Sequence, residues 1–159
     1  MKVLVSVAVF GLVWLATSFL VSTVGDLAVG GKEFLDLSRN IYFAALEAPV
    51  STAAYAILLS LFGLGRLLRM SGKPVSGWLF PFVCSGVVLG IAEACLLHPF
   101  AVYAWSGHDY ETKQAIGQTR FDIGVLFETA SGPVGCITGT AAAWFVQKSR
   151  RLRLTSAAV

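Results

Sequence analysis

The sequence predicts an all-α integral membrane protein: a four-helix transmembrane bundle with extra amphipathic helical segments on the outer side. Three observations carry this expectation. Of the 159 residues, 56% are hydrophobic and only 13% charged, whereas a soluble domain carries roughly 25% charged residues. Mean hydropathy is +0.74. The apolar residues gather in four runs, three of them near the length of about 20 residues that crosses a bilayer. The basic residues cluster just beyond two of those runs, at Arg66, Arg69 and Lys73 and again at Lys148, Arg150, Arg151 and Arg153. A chain of this length is expected to form one domain.

The first span is expected at about 3–24. Only Met1 and Lys2 precede it. A short basic start before an apolar run also describes a signal peptide, but this run exceeds the usual apolar core of about 7–15 residues. The small-residue cleavage pattern is poor around Ser22, Val24 and Gly25, so a retained span is expected. The outer segment 25–48 opens on Asp26 and the Gly30-Gly31 break. It then places Phe34, Leu37, Ile41 and Ala45 on one helical stripe. Periodicity alone does not decide whether this is an interfacial helix or the start of the next span.

The second span is expected at about 49–68, with Pro49 in its first turn, where the missing N–H is no loss. The turn 69–77 follows, then a third span at about 78–98. It reads WLFPFVCSGVVLGIAEACLLH, with Pro81 tolerated near its start and His98-Pro99 closing it. Segment 99–127 is the longest connection and is expected to be partly helical, with Tyr110, Ile116, Phe121 and Val125 as loose apolar points. The last apolar run, Gly132 to Val146, is too short to cross alone. Its helix is therefore expected to begin near Asp122 to Glu128 and to bend at Pro133. From Glu128 to Lys148 the rise is about 30 Å, matching a hydrocarbon core and giving a span at about 128–147. The tail is 148–159.

Short cytoplasmic loops collect Lys and Arg. The 69–77 turn and the tail are accordingly expected inside, with both termini cytoplasmic and the two longer segments outside. Trp78 and Trp144 would lie at the inner interface and Trp105 at the outer one. Trp14 fits neither belt and is expected among the helices. In composition the chain is similar to the many small bacterial inner-membrane proteins without a catalytic signature.

Glu93 is the sharpest signal. It is the one charged residue inside the third span, and an acid at that depth is costly and by default a functional candidate. It lies about 22 Å from the inner edge. Gly86, Gly90, Glu93 and Leu97 share a helix face, and small residues mark close helix contact, so the carboxyl is expected to point inward. At matching depth the other spans offer Thr17 and Ser18, then Ser51, Thr52 and Tyr55, then Pro133 to Cys136 with Thr138 slightly deeper. Glu47, His98 and Glu128 lie nearer the outer surface. Together these residues outline an outward pocket with an acidic mouth. Its candidate floor is Glu93, Tyr55, Thr17, Ser18 and Thr138.

Two readings of Glu93 follow. In one it is a hydrogen-bonded structural group, tied to Tyr55, Thr17 or Ser18, in a non-enzymatic accessory or partner-binding subunit. In the other it takes up and releases a proton or cation in a small carrier. A membrane enzyme using Glu93 and His98 on a lipid or quinone is weaker, because five residues set them about 140° apart around a helix. No catalytic residue is assigned and no cofactor is expected. No phosphate loop, GxSxG elbow or HExxH occurs.

No ligand spacing supports a metal at Glu47, Glu93, His98 and Glu128. His108-Asp109 reads as a solvated turn. Cys84, Cys95 and Cys136 lack CxxC spacing and read as small packing residues. Gly135 and Gly139 form a GxxxG pair, expected to pack within the bundle and, as the alternative, between copies. The expected partners are the lipid bilayer, anionic lipid at Lys148, Arg150, Arg151 and Arg153, and a protein partner in the membrane; nothing points to nucleic acid.

Overall fold

The computed structural model describes residues 2–30, 35–69, 79–107 and 117–156, and every described element is an α-helix. The helices are α1 (Lys2–Gly30), α2 (Leu37–Arg69), α3 (Leu79–Gly107) and α4 (Gln118–Ser156). Three of them contain stretches long and apolar enough to cross a membrane: Leu4–Gly30, Leu37–Gly63 and Leu79–Leu96. The fourth is longer but interrupted by Gly, Ser and Thr, and these sit on the faces it turns to its neighbours.

Successive helices run antiparallel. Ser6 at the start of α1 donates to Gln147 near the end of α4 at 3.3 Å, while Gly25 near the end of α1 abuts Phe127 near the start of α4. The strongest packing is α1 on α4, then α3 on α4, α1 on α2, and α2 on α3. The start of α1, the end of α2, the start of α3 and the end of α4 therefore share one end of the molecule.

The amphipathicity is inverted relative to a soluble bundle. Along the first two-thirds of α1 the buried positions are Ser6, Phe10, Trp14 and Ser18, and the exposed ones include Leu4, Leu12 and Leu20. Hydroxyls thus face inward and leucines outward. The same four-residue beat puts Ile57 and Leu61 outside on α2, Val87 and Ile91 on α3, and Ile137 and Phe145 on α4. In water such a surface would be a very large apolar patch; against acyl chains it costs nothing.

Three prolines lie inside helices: Pro49, Pro99 and Pro133. Pro49 does not open α2. Residues 37–48 form roughly three preceding turns of the same helix, so this stretch is no separate interfacial helix. Likewise Pro99 does not close α3, which continues to Gly107. Each proline deletes one N–H from the ladder, but in an apolar surround ending the helix would orphan several more backbone groups. Continuation is the cheaper outcome.

Helix α4 starts at Gln118, ahead of the expected Asp122. Gly117 adopts a positive φ of 79°, open to glycine at little steric cost, and its carbonyl accepts the Phe121 N–H at 3.2 Å. The start of α2 is set by Asp36, whose carboxylate accepts the Arg39 N–H at 2.9 Å as an N-cap. The buried Asp26 at the end of α1 accepts from Arg39 Nη2 at 2.8 Å and Asn40 Nδ2 at 2.7 Å, clipping α1 to α2.

Glycines bring the helices together. A Cβ on Gly86 would collide with the Thr140 side chain, and one on Gly11 with Thr52. The GxxxG pair of α4 serves α1. Gly135 makes room for the Trp14 ring, whose Cδ1 would stand 2.9 Å from an added Cβ, and Gly139 for Phe10, whose Cδ2 would stand 2.8 Å away. Gly90 is less tight, its nearest neighbour being Cys136 Cβ at 3.6 Å. A bulky aromatic against a bare backbone gives α1 and α4 the most extensive packing in the molecule.

Candidate functional site

Glu93 lies on the buried stripe of α3, following Phe82, Ser85 and Leu89 at helical spacing, and its residue is only 8% exposed. Its carboxylate receives hydrogen bonds from all three other helices: Trp14 Nε1 of α1 at 3.2 Å, Ser51 Oγ of α2 at 2.5 Å and Cys136 Sγ of α4 at 3.1 Å. The two oxygens are not equivalent. Oε2 takes the indole N–H and the thiol, both donors. Oε1 faces only the Ser51 hydroxyl, which can donate or accept. Both an ionised and a neutral carboxyl therefore satisfy this arrangement, the difference being the direction of one hydroxyl.

The partners differ from those expected. Ser51 and Cys136 lie at the depth counted for Glu93 on the second and fourth spans. Tyr55, one turn from Ser51, points elsewhere. Its ring stacks on Phe10 with centroids 3.8 Å apart and planes within 1°. Its hydroxyl faces that of Thr140, yet neither group meets hydrogen-bond geometry with any partner. Thr17 is tied to Thr138, whose hydroxyl donates to it at 3.0 Å and also approaches the Val134 carbonyl at 2.9 Å. Ser18 is buried on the same face of α1. The expected floor thus separates into a carboxylate centre at Glu93, a Thr17–Thr138 tie and a Phe10–Tyr55 stack.

Trp14 is the residue that sequence reasoning missed. The signal was its position off both interfacial belts, because a buried indole needs an acceptor for its N–H and Glu93 is the one acidic side chain within the third span. Cys136 was read as packing alone. It is fully buried and also directs its thiol at the carboxylate.

Of the outer acids, Glu47 is half-buried on α2 and lies within electrostatic reach of both Glu93 and Glu128. Acids from α2, α3 and α4 thus converge at this level. The side chain of His98 lies outside the described residues. Among the described residues, no group of three or more His, Cys, Asp and Glu side chains comes together in a way that could hold a metal ion.

No protein-family model, curated protein or solved structure matches the chain. The site's chemistry is therefore argued from its own geometry. An indole N–H, a thiol and a hydroxyl from three helices around one carboxyl form a tie point or a proton-holding group.

Proposed function

We propose that this is a non-enzymatic membrane protein with four spans, acting as an accessory or partner-binding subunit of a bacterial inner membrane, with both termini in the cytoplasm. The observation that carries this reading is the closure of Glu93 by donors from every other helix. A carboxyl engaged in this way sets the rotation and height of four helices and leaves their outer faces free for lipid or a membrane partner. Helix α4 is proposed as the fourth span: its Gly and Thr residues are covered by α1 and α3, so its outward face, with Leu126, Ile137 and Phe145, is apolar. The sidedness follows from the basic residues of the turn and tail.

Reconstitution tests the proposal. Vesicles containing the protein, loaded with a pH-sensitive dye, should dissipate an imposed proton gradient no faster than empty vesicles, and the Glu93→Gln variant should behave identically. Gradient dissipation that Glu93→Gln abolishes, in a variant that still folds, would overturn the reading in favour of a second one, a small proton- or cation-linked carrier. Two observations favour that alternative: Glu47 and Glu128 lie on the outward side within electrostatic reach, and Oε1 of Glu93 meets a hydroxyl that serves either protonation state. Engineered cysteines beyond Arg69 and after Ser156 should be protected from membrane-impermeant reagents in intact cells.

A further inference from the structure

A groove of about 260 Å³ runs between α3 and α4. Its walls include Leu79, Gly86 and Val87 of α3 and Ile137, Ala141 and Trp144 of α4. Along it Thr140 packs where a Cβ of Gly86 would stand, so the two helices meet closely there. Its volume falls below the roughly 300 Å³ at which small-molecule sites begin, and its walls are almost entirely apolar. This is the shape of a slot for a hydrocarbon chain.

Length and charge identify the occupant. From Leu79 to Val87 the helix rises about 12 Å, close to the roughly 15 Å depth of one leaflet's hydrocarbon. At the end where α3 begins and α4 leaves the bundle, Trp144 lines the groove, and the ammonium of Lys148 sits over its ring, 5.0 Å from the centroid. An indole carrying a cation at the mouth of an apolar slot matches a lipid whose headgroup is negative and whose chain enters the slot. We infer that the α3–α4 groove seats one acyl chain of an anionic phospholipid of the inner leaflet, with its phosphate at Lys148. This inference rests on the proposal that the helices span a membrane.

Cross-linking in vesicles tests it. The full chain is reconstituted in phosphatidylcholine containing a minor share of phosphatidylglycerol with a photoreactive group in one acyl chain, and labelled peptides are identified. Labelling should concentrate on Val87, Ile137 and Ala141, and unlabelled phosphatidylglycerol should compete better than phosphatidylcholine. Ala141→Phe, which fills the slot from an exposed position, should reduce groove labelling to the level of the outward α2 residues Val50 and Ile57. Lys148→Gln should leave groove labelling by chains in place while lowering the preference for phosphatidylglycerol about fivefold, the effect of one basic charge near an anionic surface. Labelling spread evenly over the outward faces of an embedded chain, with no headgroup preference, would overturn the groove assignment alone. Release of the chain from vesicles by alkaline carbonate would instead overturn the membrane reading.

Discussion

Replacing Glu93 by Ala should destabilise the protein by about 2–4 kcal/mol, and replacing it by Gln by less than about 1 kcal/mol. Alanine strands the Trp14 N–H and the Ser51 hydroxyl, both buried; the Cys136 thiol is a weak donor and adds little. On the scale of soluble proteins, each stranded donor costs about 1–3 kcal/mol, or about 2–6 kcal/mol for the two. Interhelical hydrogen bonds in membrane proteins average only about 0.6 kcal/mol, so three lost bonds sum to about 2 kcal/mol. The membrane sum sets the lower end of the expected range, and the midpoint of the soluble range, about 4 kcal/mol, sets the upper end.

The amide of Gln keeps an oxygen for Trp14 and Cys136 and offers an N–H to Ser51, which reverses its hydroxyl. Unfolding measured in mixed micelles of mild detergent and dodecyl sulfate, or by steric trapping in bilayers, reads both variants. The expected Ala effect is about a 30- to 700-fold change in the equilibrium constant, at 1.4 kcal/mol per factor of ten. An Ala variant within about 0.5 kcal/mol of wild type, below the single-bond average, would refute the tie-point argument. So would a Gln variant as unstable as Ala.

Trp14→Phe keeps a ring against Gly135 but removes the N–H, and should cost about 0.6–1.7 kcal/mol; combined with Glu93→Ala the loss should be less than additive, since both remove one hydrogen bond. Gly86→Ala would place a Cβ 3.0 Å from Thr140 Cβ, and Gly25→Ala one 2.6 Å from Phe127 Cβ, so each should destabilise by about 1–3 kcal/mol through overpacking. Gly63→Ala meets nothing within 4 Å and should instead stabilise its helix by about 0.5–1 kcal/mol, a matched control in the same unfolding assay. At the α1–α2 turn, Asp26→Ala should cost about 1–3 kcal/mol because it strands the buried Asn40 amide. Arg39→Ala should cost less than about 1 kcal/mol, since that side chain is 33% exposed and its ion pair is screened.

What the chain's order of residues determined by itself is local. Apolar runs, their lengths and the basic residues between them are enough to specify helices and their alternating direction, because helical hydrogen bonding in an apolar solvent is satisfied within each segment. The inward face of α3 was legible too, because Gly86, Gly90 and Glu93 repeat at helical spacing and a carboxyl avoids lipid. Tertiary structure decided which groups meet. Choosing Ser51 over Tyr55 as the partner of Glu93 depends on the rotation and height of α2 against α3, and one helical turn of about 5.4 Å separates the two outcomes. That registry is set against α1, where Thr52 abuts Gly11 and the Tyr55 ring stacks on Phe10, contacts between positions more than forty residues apart that no local pattern encodes. The continuation of α2 and α3 through Pro49 and Pro99 has the same origin: proline is a stop signal in water, where freed carbonyls find a partner, and loses that force where they would find none.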